Sequence, residues 1–562
     1  MKRTPRAGTA VAVAALIALT STPAPAAAHV PATAWREVVV TGSGAEDAAR
    51  AVEAAGGQVI AALPVARGVA ARLPADRSLG AGWVVAPQRE LTVAEAGTPA
   101  SSGAATTIRQ MVGLPANGNE GRGVTVAVVD TGIADVPDLA GRVTRRVDVT
   151  GTGGGDGYGH GTFMAGLIAA SGAASGGAHR GVAPGAELVD VKVADAQGRT
   201  DLITVLRGLQ WVSDHRKDIQ VLNLSLSSQS PLPYQLDPLN QALESLWQRG
   251  VTVVVPSGND GPGVGSVTAP GNDPVLLTAG GLDASGTADR GDDVVGTWSG
   301  RGPTWQGDAK PDLVAAGGRV VSLSAPGSVV ERANPQARVG NGYFRGSGTS
   351  MASAVTSAVV AATLSVQPKL GPDAIKNLFV STAYPSAGLT ARAGGGAGGL
   401  DVGAVLDAAP RWRTGKAHAQ HAQDTATIRR DAKRWTEFAK ALVDEDPETA
   451  ARAWAALSPA SRDWAARAWA QLDPAARAWA ARAWAGEDWA ARAWANADGT
   501  WAARAWAARA WAARAWADAD WSARAWADAD WTARAWAGDD WAARAWAADR
   551  WNARAWAWLP RS

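Results

Sequence analysis

The stretch GSGTSMASAVTSAVVAA, residues 346–362, runs a glycine-rich turn into a lone hydroxyl, Ser350, where an apolar helical pattern begins. A serine in that position is either a helix cap or a nucleophile. The rest of the chain has to separate the two. VAVVDTGI (126–133) ends an apolar run on Asp130, GHGTFMAGLIAA (159–170) opens another helical run with His160, and VVVPSGNDG (253–261) ends a run just before Asn259. Each residue has a modest local role open to it: Asp130 as a turn cap, His160 and Ser350 as helix caps, Asn259 as a turn residue. Together they also form a chemical set. A serine hydroxyl attacks only when a base takes its proton, a histidine does this best when a carboxylate fixes its tautomer, and an amide can donate to the resulting oxyanion.

The surrounding pattern places this set at element ends. TVAVVD, ELVDVKV, IQVLNLSL, VTVVVPSG and PVLLTAGG are nearly continuous apolar runs, as strands covered on both faces should be. Helical stretches such as TDLITVLRGLQWVSDHR and LNQALESLWQRG lie between them. Such alternation predicts an α/β unit over about 108–410, a mostly parallel sheet with helices on both faces. Ligands in that architecture sit beyond the carboxyl ends of the strands.

With DTG, HGTFMAG and GTSMAS in that order, residues 108–410 resemble the subtilisin-like serine proteases, whose order of catalytic residues is Asp, His, Ser. The resemblance implies that Asp130 orients His160, that His160 is general base and then general acid, and that Ser350 attacks a peptide carbonyl. It implies an oxyanion hole of Asn259 and the Ser350 N–H, helped by the positive end of the helix. It also implies that an extended peptide docks along NLSLSS, at Ser225, Leu226 and Ser227, with a specificity pocket between this edge and Ser257-Gly258. Two departures stand out. Ser227 occupies a position where the family usually has glycine, so small or polar residues are expected before the scissile bond. Ala354 stands where proline usually follows GTSMAS, which bears on the first helical turn and on rate rather than on reaction type.

The chemistry needs no cofactor. The family often carries structural calcium, and Asp138 in VPDL falls where such a ligand can occur, but no run of alternating oxygen ligands marks a site and no metal residue is assigned.

Outside this unit the chain changes character. Residues 1–28 have a basic start, a short apolar run and small residues at Ala26 to Ala28, the layout of a cleaved secretory signal, so a secreted, extracellular product is expected. Residues 35–97 read as strand, helix and further strands. This small α/β module resembles the family's propeptides, inhibitors and folding chaperones that are removed by self-cleavage. Residues 98–107 (TPASSGAATT) form a small-residue linker and a plausible cleavage zone, and 411–426 form a second linker.

Residues 427–562 are a repeat tail rich in Ala, Trp, Arg and Asp, with tryptophan every five residues from Trp501 to Trp556. That spacing advances about 140° per step round a helix, so no single stripe forms. Cap-proline pairs such as Asp446-Pro447 and Ser458-Pro459 predict several short helices instead, at least up to about Ala495.

Net charge is +2 and cysteine is absent. Near balance gives no electrostatic footprint for nucleic acid, and neither disulfides nor thiolate metal sites can form. The expected partners are protein or peptide substrates, the chain's own propeptide and, for the tail, a wall polymer, a membrane surface or another protein. The alternative from another class is an adhesion or binding protein in which the tail is the working part.

Overall fold

The computed structural model describes residues 35–413 apart from positions 81, 94–106, 115–119, 231, 305 and 307, together with 434–438, 452–453, 456–457 and five short strands between 492 and 546. The expected signal segment, and the linkers except Thr107 and residues 411–413, lie outside the described residues.

The N-terminal module consists of β1 (Trp35–Thr41), α1 (Ala45–Ala54), β2 (Gln58–Leu63), β3 (Gly68–Pro74) and β4 (Val84–Pro87), in an antiparallel sheet of order β2-β3-β1-β4. Alternation along β1 sends Val38 and Val40 to one face, where Ala48 and Val52 of α1 cover them. Val39 faces the other way, into the main core of the protein. A sheet covered on both sides needs an unbroken Val38-Val39-Val40 run, which is what the sequence has. The next strand, β5 (Glu90–Val93), leaves the module's sheet. Strand β5 finds its hydrogen-bonding edges in the large unit, at β9 and β11.

That unit begins at α2 (Ile108–Met111), where Thr107 and Gln110 form a reciprocal capping box. Its parallel strands are β6 (Thr125–Asp130), β7 (Val143–Asp148), β8 (Glu187–Lys192), β10 (Val221–Leu224), β12 (Thr252–Pro256), β13 (Leu277–Asp283) and β15 (Leu313–Ala316). The order is β7-β8-β6-β10-β12-β13, with β15 beside β13; β14 (Val294–Val295) is antiparallel on β13. Strands after β6 therefore go first to one side and then to the other, so the crevice between β6 and β10 is the topological switch point.

Helices α3 (His160–Ala169), α4 (Leu202–Asp214), α5 (Pro238–Gln248) and α7 (Thr349–Val366) flank the sheet. Asp201 caps α4 by accepting from Thr204 N, and Asp237 caps α5 by accepting from Leu239 N, with Pro238 in the first turn. All of α3 is buried, as is all of α7 except its last two residues; such helices carry apolar or small residues all round. Among the described residues, α7 is the one helix long and apolar enough to cross a bilayer, and it is a core helix. The short strands β9 (Arg199–Asp201) and β11 (Leu226–Ser227), and the antiparallel set β16 (Val320–Leu323), β17 (Arg338–Val339) and β18 (Tyr343–Gly346) with α6 (Val329–Ala333), are additions that apolar periodicity does not signal, being too short.

The tail differs in part from expectation. Residues 434–438 are helical, with Trp435 and Phe438 fully buried, and Val85 N of the module's edge strand donates to Thr436 Oγ1 at 3.1 Å. Farther on, Arg492–Ala495 and Trp501–Arg504 pair as antiparallel strands rather than helices. The sequence between them holds Asp498-Gly499, a pair that favours chain reversal, and tertiary pairing overrides the helix propensity of alanine.

Candidate active site

Asp130 is the last residue of β6 and His160 the first of α3. His160 Nδ1 lies 2.8 Å from Asp130 Oδ1, and both residues are about 1 % exposed. Thr131 N donates to the same carboxylate oxygen at 2.7 Å. With Nδ1–H engaged by a buried carboxylate, Nε2 becomes the basic nitrogen.

The loop that delivers His160 is held by Asp156, which accepts from Thr131 Oγ1 (2.8 Å), Gly159 N (2.7 Å), Thr162 N (2.8 Å) and Thr162 Oγ1 (2.6 Å). Burial pushes the Asp156 carboxyl above its ordinary range, against these donated bonds. Thr131 Oγ1 in turn accepts from Gly161 N at 2.9 Å, tying the segment after β6 to the start of α3. A Cβ on Gly161 would stand 2.1 Å from the Gly132 carbonyl, so only glycine allows this approach.

Ser350 is the second residue of α7 and is wholly buried. Helices α3 and α7 pack on one another, so the first turns that carry His160 and Ser350 belong to one packed pair. Ser350 Oγ donates to the Ser225 carbonyl at 3.3 Å. Asn259 lies in the loop after β12, and its Oδ1 accepts from Thr349 N (3.0 Å) and Thr349 Oγ1 (2.9 Å). That fixes the amide so that Nδ2 is left buried with no hydrogen-bond partner among the described residues. A buried donor without an acceptor costs about 1–3 kcal/mol, which a negatively charged oxygen at this point would offset. The outward-facing amides of the first turn of α7 point to the same need.

Ser225, Leu226 and Ser227 follow β10, and Ser257 and Gly258 follow its neighbour β12, so the two segments leave the same edge of the sheet side by side. Ser225 Oγ is held by Asn223 Nδ2 at 2.9 Å and lies 3.1 Å from Ser353 Oγ. Gly258 has φ +92°, and a Cβ there would meet Thr268 Oγ1 at 2.2 Å. Ser227 is buried, and Ala354 sits fully buried within α7. Asp138 lies elsewhere, its carboxylate accepting from Tyr343 OH (2.5 Å), Ala174 N (2.9 Å) and Ser171 Oγ (3.3 Å). Among the described residues no group of three or more His, Asp or Glu is arranged for a metal.

The Leu226–Ser227 edge is occupied. Strand β5 lies between β9 and β11, antiparallel to both, with Thr92 opposite Ser227 and Arg199, and Val93 opposite Leu226. Arg89, just before β5, reaches Asp237 at the cap of α5 with bonds of 3.0 and 2.7 Å, and the pair is 10 % and 1 % exposed. Gln88 Oε1 and Arg89 O accept from Ile203 N and Leu202 N at the start of α4. A cavity of about 370 Å³ continues from Val93 past Tyr158 and Phe163 to Leu323, Phe344 and Met351.

A nucleophile, a base oriented by a buried carboxylate, and an unmet amide donor at the switch point of a parallel sheet define a hydrolase-type site. The Subtilase family model matches residues 121–405, and the chain belongs to that family. It is 41 % identical to serine protease AprX of Bacillus subtilis (strain 168) over 46 % of this chain and 61 % of that protein. It is 35 % identical to Subtilisin Savinase of Lederbergia lenta over 47 % of this chain and 85 % of the relative. The chain thus spans about three-fifths of the length of several of the curated relatives it matches. Fervidolysin from Fervidobacterium pennivorans, a keratinolytic enzyme related to subtilisin, shares the fold with a TM-score of 0.53 over 70 % of this chain and 63 % of that one, at 22 % identity.

Sequence reasoning missed Asp156, Thr349, the Arg89–Asp237 pair and the destination of β5. Asp156 carried a signal, standing four residues before His160 in a glycine-rich loop; the others depend on contacts between segments far apart in the chain.

Proposed function

We propose that the chain is a secreted serine endopeptidase made as a self-processing precursor. The observation that carries the enzymatic reading is the buried Asp130–His160 pair at the start of α3, a helix packed against α7 whose first turn carries Ser350, with Asn259 Nδ2 as an unmet donor among the described residues. In this reading Ser350 Oγ attacks a peptide carbonyl, its proton passes to His160 Nε2, and Asp130 stabilises the imidazolium. Asn259 Nδ2 and the Ser350 N–H hold the oxyanion. His160 then protonates the leaving amine, and water releases the acyl group from Ser350.

The precursor reading is supported by β5, which joins the module to the substrate edge, and by the buried Arg89–Asp237 pair. The basic and apolar layout of residues 1–28 supports export. Ser227 narrows the specificity pocket, so substrates with small or polar residues before the scissile bond are favoured, and a peptide series varying that residue measures the preference.

A serine-directed phosphonate tests the enzymatic reading. It should label Ser350 in the folded, matured protein and fail on Ser350→Ala. Absence of labelling in the folded parent protein would favour the binding-protein alternative.

A further inference from the structure

We propose that residues 434–438, near the start of the tail, form a strap by which the large unit's own chain retains the N-terminal module, gripping it along the outer edge of β4. The strap adds a control to the precursor proposed above and rests on that reading for its purpose; the contact itself does not depend on it.

Strand β4 ends the module's sheet and pairs with β1 on its inner side. An edge strand presents backbone donors and acceptors that invite a partner. Here the partner is a side chain, since Thr436 Oγ1 accepts from Val85 N at 3.1 Å in a buried contact. The residues of β4 divide between two cores. Val85 belongs to the module's own core with Ala48 and Val52 of α1, while Val84 and Ala86 belong to the main core, which also holds Trp435 and Phe438. Trp435 and Phe438 stand three positions apart in a helical stretch, so both rings leave the same face. They meet edge to face with centroids 5.8 Å apart, whereas Arg434 and Glu437 are exposed. Ala453 and Leu457 extend the burial into the same core.

The composition of the segment separates it from the repeat that follows. Phe438 is the last phenylalanine of the chain, and Trp435 stands apart from the five-residue tryptophan spacing of 501–556. The large unit carries the strap covalently, because about twenty residues join Arg413 to Arg434. A break in the 98–107 linker would therefore leave the module held at two places, through the strap at β4 and through β5 with the Arg89–Asp237 pair. Two contacts on one carrier reinforce each other, since loss of either leaves the module tethered by the other. Release of the module then requires that the tail let go as well.

The test uses the full chain with Ser350→Ala, so that no self-cleavage intervenes, and with a recognition sequence for an added protease inserted in the 98–107 linker. After that cut, dilution followed by size-exclusion chromatography measures the dissociation constant of the module from the rest of the chain. Trp435→Ala combined with Phe438→Ala should weaken retention about 10²-fold or more, the scale of truncating buried aromatic side chains. Thr436→Val keeps the shape and removes the acceptor, so it should weaken retention about fivefold, and Thr436→Ser should restore it. Hydrogen exchange of a peptide spanning Val84–Pro87 should be faster in Thr436→Val while β6 and β10 keep parent rates. Retention equal to the parent's in Thr436→Val or in the double variant overturns the strap. A chain with Ser350 intact that fails to cut itself would overturn self-processing and leave the strap standing.

Discussion

Arg89 of the N-terminal segment forms a nearly solvent-free ion pair with Asp237, one guanidinium nitrogen donating to both carboxylate oxygens of the residue that caps α5 of the large unit. Asp237 also accepts from Leu239 N at 2.8 Å and from Ser230 Oγ, so its carboxylate is oriented by bonds independent of Arg89. The module is thereby latched to a preorganised acceptor.

Removing the guanidinium should leave that acceptor buried and unpaired. If the module inhibits the matured protein as proposed, Arg89→Ala in a separately added module should weaken that inhibition by about 2–5 kcal/mol, the usual cost of truncating one partner of a desolvated pair. Titrating peptide hydrolysis against the parent and variant modules measures it; equal inhibition constants would show that the latch contributes nothing.

Asn259 offers an amide whose oxygen is fully engaged by Thr349 and whose nitrogen is not. Asn259→Ala should lower kcat by about 10²–10³-fold with little change in KM, the scale found when one oxyanion donor is lost in this family. A loss confined to KM would place the amide in substrate binding instead.

Asp130→Asn keeps the shape of the buried pair and changes its proton. An amide facing Nδ1 no longer selects the tautomer that leaves Nε2 basic, and a kcat loss of about 10⁴-fold is expected. Stopped assays at saturating peptide, with circular dichroism to verify folding, provide the check.

A pH effect comes from Asp190, on β8 two residues from Lys192. Burial, outweighing the Ile133 amide and the Arg146 guanidinium, pushes its carboxyl from 3.8 up to about 7. Between those values the native protein holds a proton that the unfolded chain has released. Stability from this group therefore falls as pH rises through the window and levels off above it. Asp190→Asn retains an acceptor for Ile133 N, so the difference in unfolding free energy between ~pH 5 and ~pH 8 should be smaller than in the parent protein. An unchanged difference, measured by urea denaturation, would assign the effect to other groups.

The parallel sheet was legible because strands such as Val126–Val129 and Val253–Val255 are apolar on both faces, which fixes their class without any partner being known. Asp130, His160, Asn259 and Ser350 were legible for a related reason: each ends or begins such an element amid glycines. What stayed hidden depends on long-range pairing. Glu90–Val93 is too short to show a period, and nothing local says that its partners are Arg199–Asp201 and Leu226–Ser227 rather than the module's own strands. The strand pairing at Arg492–Arg504 was hidden for the same reason, since alanine and arginine locally favour a helix.

Strands β9 and β11 never touch each other; the three-stranded arrangement exists only through β5. Withdraw the middle member and two facing rows of amide and carbonyl groups stand open, spaced for one extended guest and too close for a folded one. On the proposed function, such a groove would admit unstructured or locally unravelled polypeptide before any side chain is inspected, with the chain's own segment as its template.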